Sequence, residues 1–394
     1  MAAAATETDP GNDPAAGGGG APPGLEEVLE AQPHARAVLA GLAEDPAGAS
    51  HAYLLYGPPG TGKRAAARAL AVSLLSSGAR NPATVAGRVA RDAHPDLTWV
   101  SPSGASEMLV SDIEEPVVAA ATRTPFESAR RVFVIESVEA MNDQSANRML
   151  KTLEEPRDFV HLLLLSDRLD DVLPTIVSRC QLVRFDPVPA DRIAAALTGV
   201  EEPRAQACAR LALGDAGLAA WLAAEEGEGL RRDAEGYVRQ AISGASASRA
   251  WLRLIEQATG AGAHASEADA AAAEQDLELL PARERKRQER ELLDARRRSE
   301  RRARTRMLDL SLRLAELWLR DLMCVCEGAP ELIYAVDRRT EIESDAHGRR
   351  GRELRDALDL VAGTRLSLSL NVSEELALEA LSYRLEARLG VATP

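Results

Sequence analysis

Aromatic residues are scarce: Phe, Trp and Tyr make up 3% of the 394 residues. With so much Ala, Leu and Arg, this balance favours helix over strand. Cysteine is scarce too. Cys180, Cys208, Cys324 and Cys326 have no framework spacing, which argues against a disulfide scaffold and suits a reducing cytosol. Cys324 and Cys326, one residue apart, read as helix-packing residues rather than a metal pair. No apolar run approaches the roughly 20 residues of a membrane span, so no membrane partner is expected. A basic excess is missing as well. The formal net charge is −14, and the chain as a whole does not advertise nucleic-acid binding. The first 22 residues lack the basic start and Leu-rich core of a secretory signal, and read as a disordered Ala/Gly/Pro tail. What remains is ample for a core. Hydrophobic residues reach 45%, and the length fits about two to three domains.

The chain does contain a phosphate-loop pattern. His51–Tyr56 (HAYLLY) is a short apolar run suited to a buried parallel strand. It leads into Gly57, Pro58, Pro59, Gly60, Thr61, Gly62, Lys63 and Arg64, then an Ala-rich helix. This matches G-x-x-x-x-G-K but not the final Ser or Thr. Glycines let backbone N–H groups curl around a phosphate, the helix N-terminus adds positive potential, and Lys63 reaches for the outer phosphates. The missing hydroxyl would complete a Mg²⁺ shell, and Arg64 cannot ligate a cation. The pattern is a strong signal for a P-loop fold. It is a weaker one for occupancy: the loop is either empty or binds ATP or ADP without turning it over.

A second half-site follows. The run Val132–Ile135 ends in Glu136 and Ser137, where a working P-loop ATPase of this type carries Asp-Glu to hold Mg²⁺ and polarise water. The second acid is a serine, so Glu136-Ser137 reads as a degenerate Walker B site. Farther on stands Ser178-Arg179-Cys180, whose arginine either suits a neighbour's nucleotide site or is a structural arginine that pairs with an internal carboxylate. A chain lacking its own catalytic acid while keeping such an arginine reads as a partner subunit. Glu154-Glu155-Pro156 resembles a carboxylate pair but reads as a helix end, because proline stops the helix before it. His94 has no second ligand nearby, so no metal site is expected.

Strand-like runs at His51–Tyr56, Leu97–Val100, Val132–Ile135, His161–Leu165 and Gln181–Arg184 alternate with helical patterns across 23–188. That alternation predicts a parallel sheet with helices on both faces. Residues 189–260 are helical and Ala-rich. Residues 261–275 are poor in bulky apolar side chains and read as a linker or a loose helix. Residues 276–394 are helical again, broken around Glu327–Pro330 and Ser344–Gly351. Within them, Arg283–Arg306 carries twelve Lys/Arg against five Asp/Glu. It reads as a solvated helix with i,i+4 pairs or as a basic ridge for DNA phosphates or an acidic partner. From Met307 the same helix turns apolar on more than one face, which calls for burial.

Taken in order, HAYLLYGPPGTGK, His94–Leu97 (HPDL), ARRVFVIESVEAMNDQSANRMLKTLEEP, the SRC at Ser178–Cys180 and NVSEELALEALSYRL resemble the delta-prime clamp-loader subunits of bacterial DNA polymerase III, a branch of the AAA+ family. The resemblance implies an α/β P-loop AAA+ domain, a helical lid over 189–260 and an all-α C-terminal collar over 276–394. It implies a cytoplasmic hetero-oligomer with motor and delta-type subunits, which loads the sliding clamp on primed DNA. In it, Arg179 would complete the ATP site of an adjacent motor subunit. No cofactor is required, and none of the family's zinc-binding cysteines occurs over Ser76–Ala93. The motor subunits' sensor residue falls at Ser166 or Asp167, where an acid would repel a γ-phosphate. Their lid arginine, three residues after a glycine, is replaced by Gly217. Two other readings remain. A stand-alone P-loop ATPase requires an acid at 137 and a hydroxyl at 64. An interaction protein outside replication has no need of the SRC arginine.

Overall fold

A computed structural model describes residues 24–44, 48–91, 93–102, 107–278, 282–369 and 372–390. The expected N-terminal tail lies outside them. The chain divides into two compact units. The first holds the residues up to Pro189 together with Gly214–Leu218, and the second holds Ala190–Leu213 and the residues from Ala219 on.

The first unit is built on five parallel strands: β1 (Ala52–Tyr56), β2 (Leu97–Val100), β3 (Arg131–Ile135), β4 (Val160–Ser166) and β5 (Gln181–Arg184). Their order in the sheet is β2-β3-β4-β1-β5. All five strands expected from the apolar runs are present. β4 lies in the middle of the sheet and is buried at every position, as its unbroken VHLLLL run requires. Alternation divides its leucines between two cores. Leu163 and Leu165 join Leu55, Val134 and the helix residues Leu70 and Leu74 on one face. Leu162 and Leu164 join Leu54, Phe133, Met149 and Ile176 on the other. Covering both faces in this way stabilises each buried leucine by roughly 1.5–3 kcal/mol relative to exposure.

Three helices of this unit matter for the site. α1 (Lys63–Ser76) follows β1 directly and buries Ala66, Leu70 and Leu74 against the sheet. α2 (Asp143–Glu154) starts at Asn142, whose side chain accepts from the amides of Gln144 and Ser145, and it stops just before Glu155-Pro156. α3 (Pro174–Val177) is a single turn that anchors through the buried Ile176. The register pairs Tyr56 with both Ser166 and Arg184, so the loop after β1 emerges between the ends of β4 and β5.

The second unit is helical. Its main elements are α4 (Glu225–Ile242), α5 (Trp251–Glu278), α6 (Ala282–Cys326), α7 (Gly351–Ser369) and α8 (Glu374–Leu389). Helix breaks at 327–338 and 347–350 overlap the two expected around Glu327–Pro330 and Ser344–Gly351, the first running longer through two 3₁₀ turns. The stretch 261–275, read as a linker or a loose helix, runs within α5, in keeping with the high helix propensity of alanine. Residues of the expected lid and collar share one interior here. The Tyr237 hydroxyl donates to the Leu378 carbonyl at 2.7 Å. Arg231, 1% exposed, meets both carboxylate oxygens of Asp337 at 2.8 and 2.7 Å, and Glu235 at 2.7 Å. The apolar stretch of α6 is buried as expected, with Leu308, Leu312, Ala315, Leu319 and Leu322 at most 1% exposed.

The basic run 283–306 forms the first half of α6, but its side chains up to 292 and at 294–295 lie outside the described residues. Beyond them, Arg296 donates to the Ser266 carbonyl at 3.2 Å and Arg304 pairs with Glu374 at 2.6 Å. At least these two cations serve internal contacts. Among the described residues no helix is long and apolar enough to cross a membrane.

Candidate functional site

The loop between β1 and α1 has the backbone of a phosphate cradle. Gly57, Gly60 and Gly62 all adopt positive φ, which glycine tolerates without strain. At Gly57 a Cβ would stand 2.1 Å from the Phe185 carbonyl oxygen, so only glycine lets the residue after β5 approach this closely. Gln32, 1% exposed, ties the loop down from outside it. Its amide donates to the carbonyls of Thr61 at 3.0 Å and Asp186 at 2.9 Å, and its oxygen accepts from the Asp186 amide at 2.8 Å.

The charged groups of the cradle are paired with one another. The Lys63 ammonium donates to the carbonyls of Gly57 and Pro58, each at 2.6 Å, and stands 2.8 Å from Asp167 Oδ1. Three contacts match the three donors of an ammonium group. Arg64 Nε lies 2.6 Å from Glu136 Oε1. The same carboxylate accepts from Trp99 Nε1 at 2.7 Å and Ser101 Oγ at 2.9 Å. A guanidinium therefore sits on the acid that holds the cation in a working site. Ser137 follows in left-handed backbone at φ 49° and contributes no second carboxylate.

A third acid closes over the loop. Asp215 belongs to the segment 214–218 that packs with the first unit. A Cβ at Gly60 would lie 1.7 Å from its carboxyl carbon, so the carboxylate rests directly on the loop. Asp215 Oδ1 also accepts from the Leu218 amide at 2.8 Å. Beside the loop, a cavity of about 540 Å³ is lined by Asp167, Asp170, Asp171 and Asp186 against Arg168 and Arg184. The hydrogen bond from His34 holds the Asp186 carboxyl below the usual carboxylate range, and Arg184 adds to the effect. A Mg²⁺-triphosphate fits this donor set poorly. Its lysine and its Walker B acid are both engaged, and acids stand at two of the places the phosphates would approach.

Ser178-Arg179-Cys180 lies apart from this cluster, directly after α3. Arg179 Nη1 donates to the Thr175 carbonyl at 2.9 Å and to Ser178 Oγ at 3.2 Å, while Nη2 meets the carboxylate of Glu154 at the end of α2. The guanidinium remains one-third exposed. Burial pushes the neighbouring Cys180 thiol up to about 12, so the cysteine packs and does not react. His94, which has no second His or Cys near it in the sequence, is buried, and desolvation lowers its pKa. Among the described residues no group of three or more His, Cys, Asp or Glu is placed to hold a metal ion.

The structure thus brings Lys63, Arg64, Glu136, Ser137 and Asp167 to one end of the sheet and sets Arg179 elsewhere in the unit. Gln32, Trp99, Ser101 and Asp215 join the site without a sequence motif. Their only signal is position, and position is visible only after the strands are ordered.

Sheet order and cradle define a P-loop α/β domain of the AAA+ type, in which the charges of the loop are paired with one another. Residues 32–189 match the family model described as "DNA polymerase III, delta subunit". The DNA polymerase III subunit delta' of Pseudomonas aeruginosa is 40% identical over 136 residues, 33% of this chain and 42% of that protein. Its counterpart in Bacillus subtilis is 34% identical over 169 residues, 41% of this chain and 50% of that protein. DNA polymerase III subunit gamma/tau of Mycobacterium tuberculosis is 32% identical over 186 residues, 46% of this chain and 32% of that protein. Over the matched region the chain is delta-prime-like. It spans about half or less of the length of these curated relatives. Among solved structures, a gamma subunit-related protein of Thermotoga maritima is similar at a TM-score of 0.45 and 17% identity, over 89% of this chain and 99% of that one.

Proposed function

We propose that the chain is a non-hydrolysing subunit of a DNA polymerase III clamp loader that lends Arg179 to the ATP site of a neighbouring motor subunit. The observation that carries the first half is the Arg64–Glu136 pair. A guanidinium occupies the Walker B acid, and Ser137 cannot polarise water, so neither cation binding nor general-base chemistry has its residues. The delta-prime likeness supports the second half, together with the exposed position of Arg179 away from its own P-loop. A planar, always-charged guanidinium suits phosphate, because it can donate two hydrogen bonds as charge redistributes in the transition state. The partners under this reading are motor and delta-type subunits, with the sliding clamp and primed DNA reached through the complex.

Two measurements test the proposal. The purified chain alone should hydrolyse no ATP above background. Turnover that Lys63→Ala abolishes would refute the first half. In a complex reconstituted with motor subunits, Arg179→Ala should leave assembly intact and lower DNA- and clamp-stimulated ATPase. An arginine finger contributes roughly 10³–10⁵ in rate at the site it serves, diluted here to one site's share of the ring. A fully assembled Arg179→Ala complex that loads clamps at the wild-type rate would remove the second half.

A further inference from the structure

We propose that Glu154 is the positioning residue for Arg179. Its carboxylate holds the guanidinium in the orientation from which it meets a neighbour's phosphate. The inference rests on the trans-acting role of Arg179 argued above and adds a residue to it.

The geometry has three parts. First, Arg179 is held from two sides. Its Nη1 is fixed by the Thr175 carbonyl and Ser178 Oγ, both on its own turn of chain, and its Nη2 by Glu154 from a different element. These contacts engage three of the five N–H groups that a guanidinium carries. The carboxylate can therefore stay in place while other N–H groups turn outward.

Second, the backbone that carries the carboxylate is fixed. Glu154 is the last residue of α2, and its neighbour Leu153 is buried in the same core cluster as Ile176 of α3. Leu153 and Ile176 thus hold the end of α2 beside α3 through packing, which keeps the acid within reach of the arginine independently of any ligand. The negative end of the α2 dipole adds to the attraction for a cation at this position.

Third, the pair is too weak and too open to be a core tie. Arg231, in the second unit, shows what a structural arginine looks like in this chain. It is 1% exposed and bonded to two carboxylates, one of them through both oxygens. Arg179 is 33% exposed, Glu154 is 46% exposed, and a single oxygen makes the contact. A pair this exposed orients a side chain but adds little to stability. Orientation without stability is what a group needs if it serves a reaction outside its own chain.

The test compares Glu154→Ala, Glu154→Gln, Arg179→Ala and the double variant Glu154→Ala/Arg179→Ala in the reconstituted clamp-loader complex. Assembly is checked by co-elution and folding by thermal melting. Glu154→Ala should lower the kcat of stimulated ATPase roughly two- to fivefold, the worth of an exposed charged pair, with KM for ATP unchanged. Glu154→Gln should recover part of the loss, because its amide oxygen still accepts from Nη2. The double variant should be no slower than Arg179→Ala, since Glu154 acts only through the arginine. If Arg179→Ala slows the complex but Glu154→Ala does not, or speeds it, positioning is overturned while the trans arginine stands. A double variant slower than Arg179→Ala has the same meaning. If Arg179→Ala has no effect in an assembled complex, the trans arginine itself falls and Glu154 with it.

Discussion

Replacing Asp167 and Asp215 by asparagine should return anion binding to the P-loop. Lys63 reaches Asp167 at 2.8 Å, and the Asp215 carboxylate rests on Gly60. A phosphate bound to Lys63 would bring its charge within about 5 Å of Asp167. At an effective dielectric of 20–80, that repulsion is about 1–3 kcal/mol for each unit charge. Breaking the Lys63–Asp167 pair adds less than about 1 kcal/mol, because Asp167 is nearly half-exposed. Neutralising Asp167 should therefore tighten ADP roughly 10- to 100-fold. Asp215→Asn should add to this by less than its own single effect, because the two charges act on one ligand. Asparagine suits both positions. It keeps the shape, and at 215 it still accepts from the Leu218 amide. Calorimetric titration with ADP in the absence of Mg²⁺ is the assay, because Arg64 occupies Glu136 whatever happens at 167. Adding Lys63→Ala to the double variant should abolish the gain. A folded double variant that binds ADP no better than the wild type would refute the reasoning. So would a wild-type chain that already binds as tightly as the variant.

Two further outcomes follow from buried charge. Burial lowers the His161 pKa from 6.5 to about 4, so below pH 6.5 the unfolded chain binds a proton that the folded chain refuses. Its neutral form is fully compatible with folding above pH 6.5, and stability falls as pH drops from there towards 4; at pH 5 the loss is about 2 kcal/mol relative to pH 7. Urea unfolding of His161→Gln should show a shallower fall over that window, and an unchanged slope would disprove the assignment. Arg231→Ala strands Asp337 and Glu235 without their cation and should destabilise the second unit by about 3–5 kcal/mol in urea; a loss under 1 kcal/mol would show the network relaxing freely.

Much of the fold is local information. The edge strand β5 (QLVR) is exposed at three of its four positions, but the inner strands β3, β4 and β1 are mostly apolar runs. Such runs declare themselves because a strand buried on both faces has no polar side to interrupt it. The cradle is also local, since its glycines, Lys63 and Arg64 sit at fixed spacing beside one strand and one helix. The replaced acid at Ser137 is legible for the same reason. Composition left 261–275 open: the lack of bulky side chains suits a linker or a loose helix, alanine is the best helix former, and the stretch is helix.

Residue type and spacing alone fix two absences in the loop and strand pattern: no hydroxyl at 64 and no acid at 137. Tertiary structure alone decided what took their places. The order β2-β3-β4-β1-β5 sets the end of β4 beside the cradle and so delivers Asp167 to Lys63. The same order places the ends of β2 and β3 side by side, which gives Glu136 its hydrogen bonds from Trp99 and Ser101. Asp215 reaches Gly60, and Glu154 reaches Arg179, across separations that no periodicity encodes. A residue's type fixes which contacts it can make. Only the packing of distant elements fixes the direction in which its side chain points, and at this site direction decides whether a charge faces a phosphate or another residue of the chain.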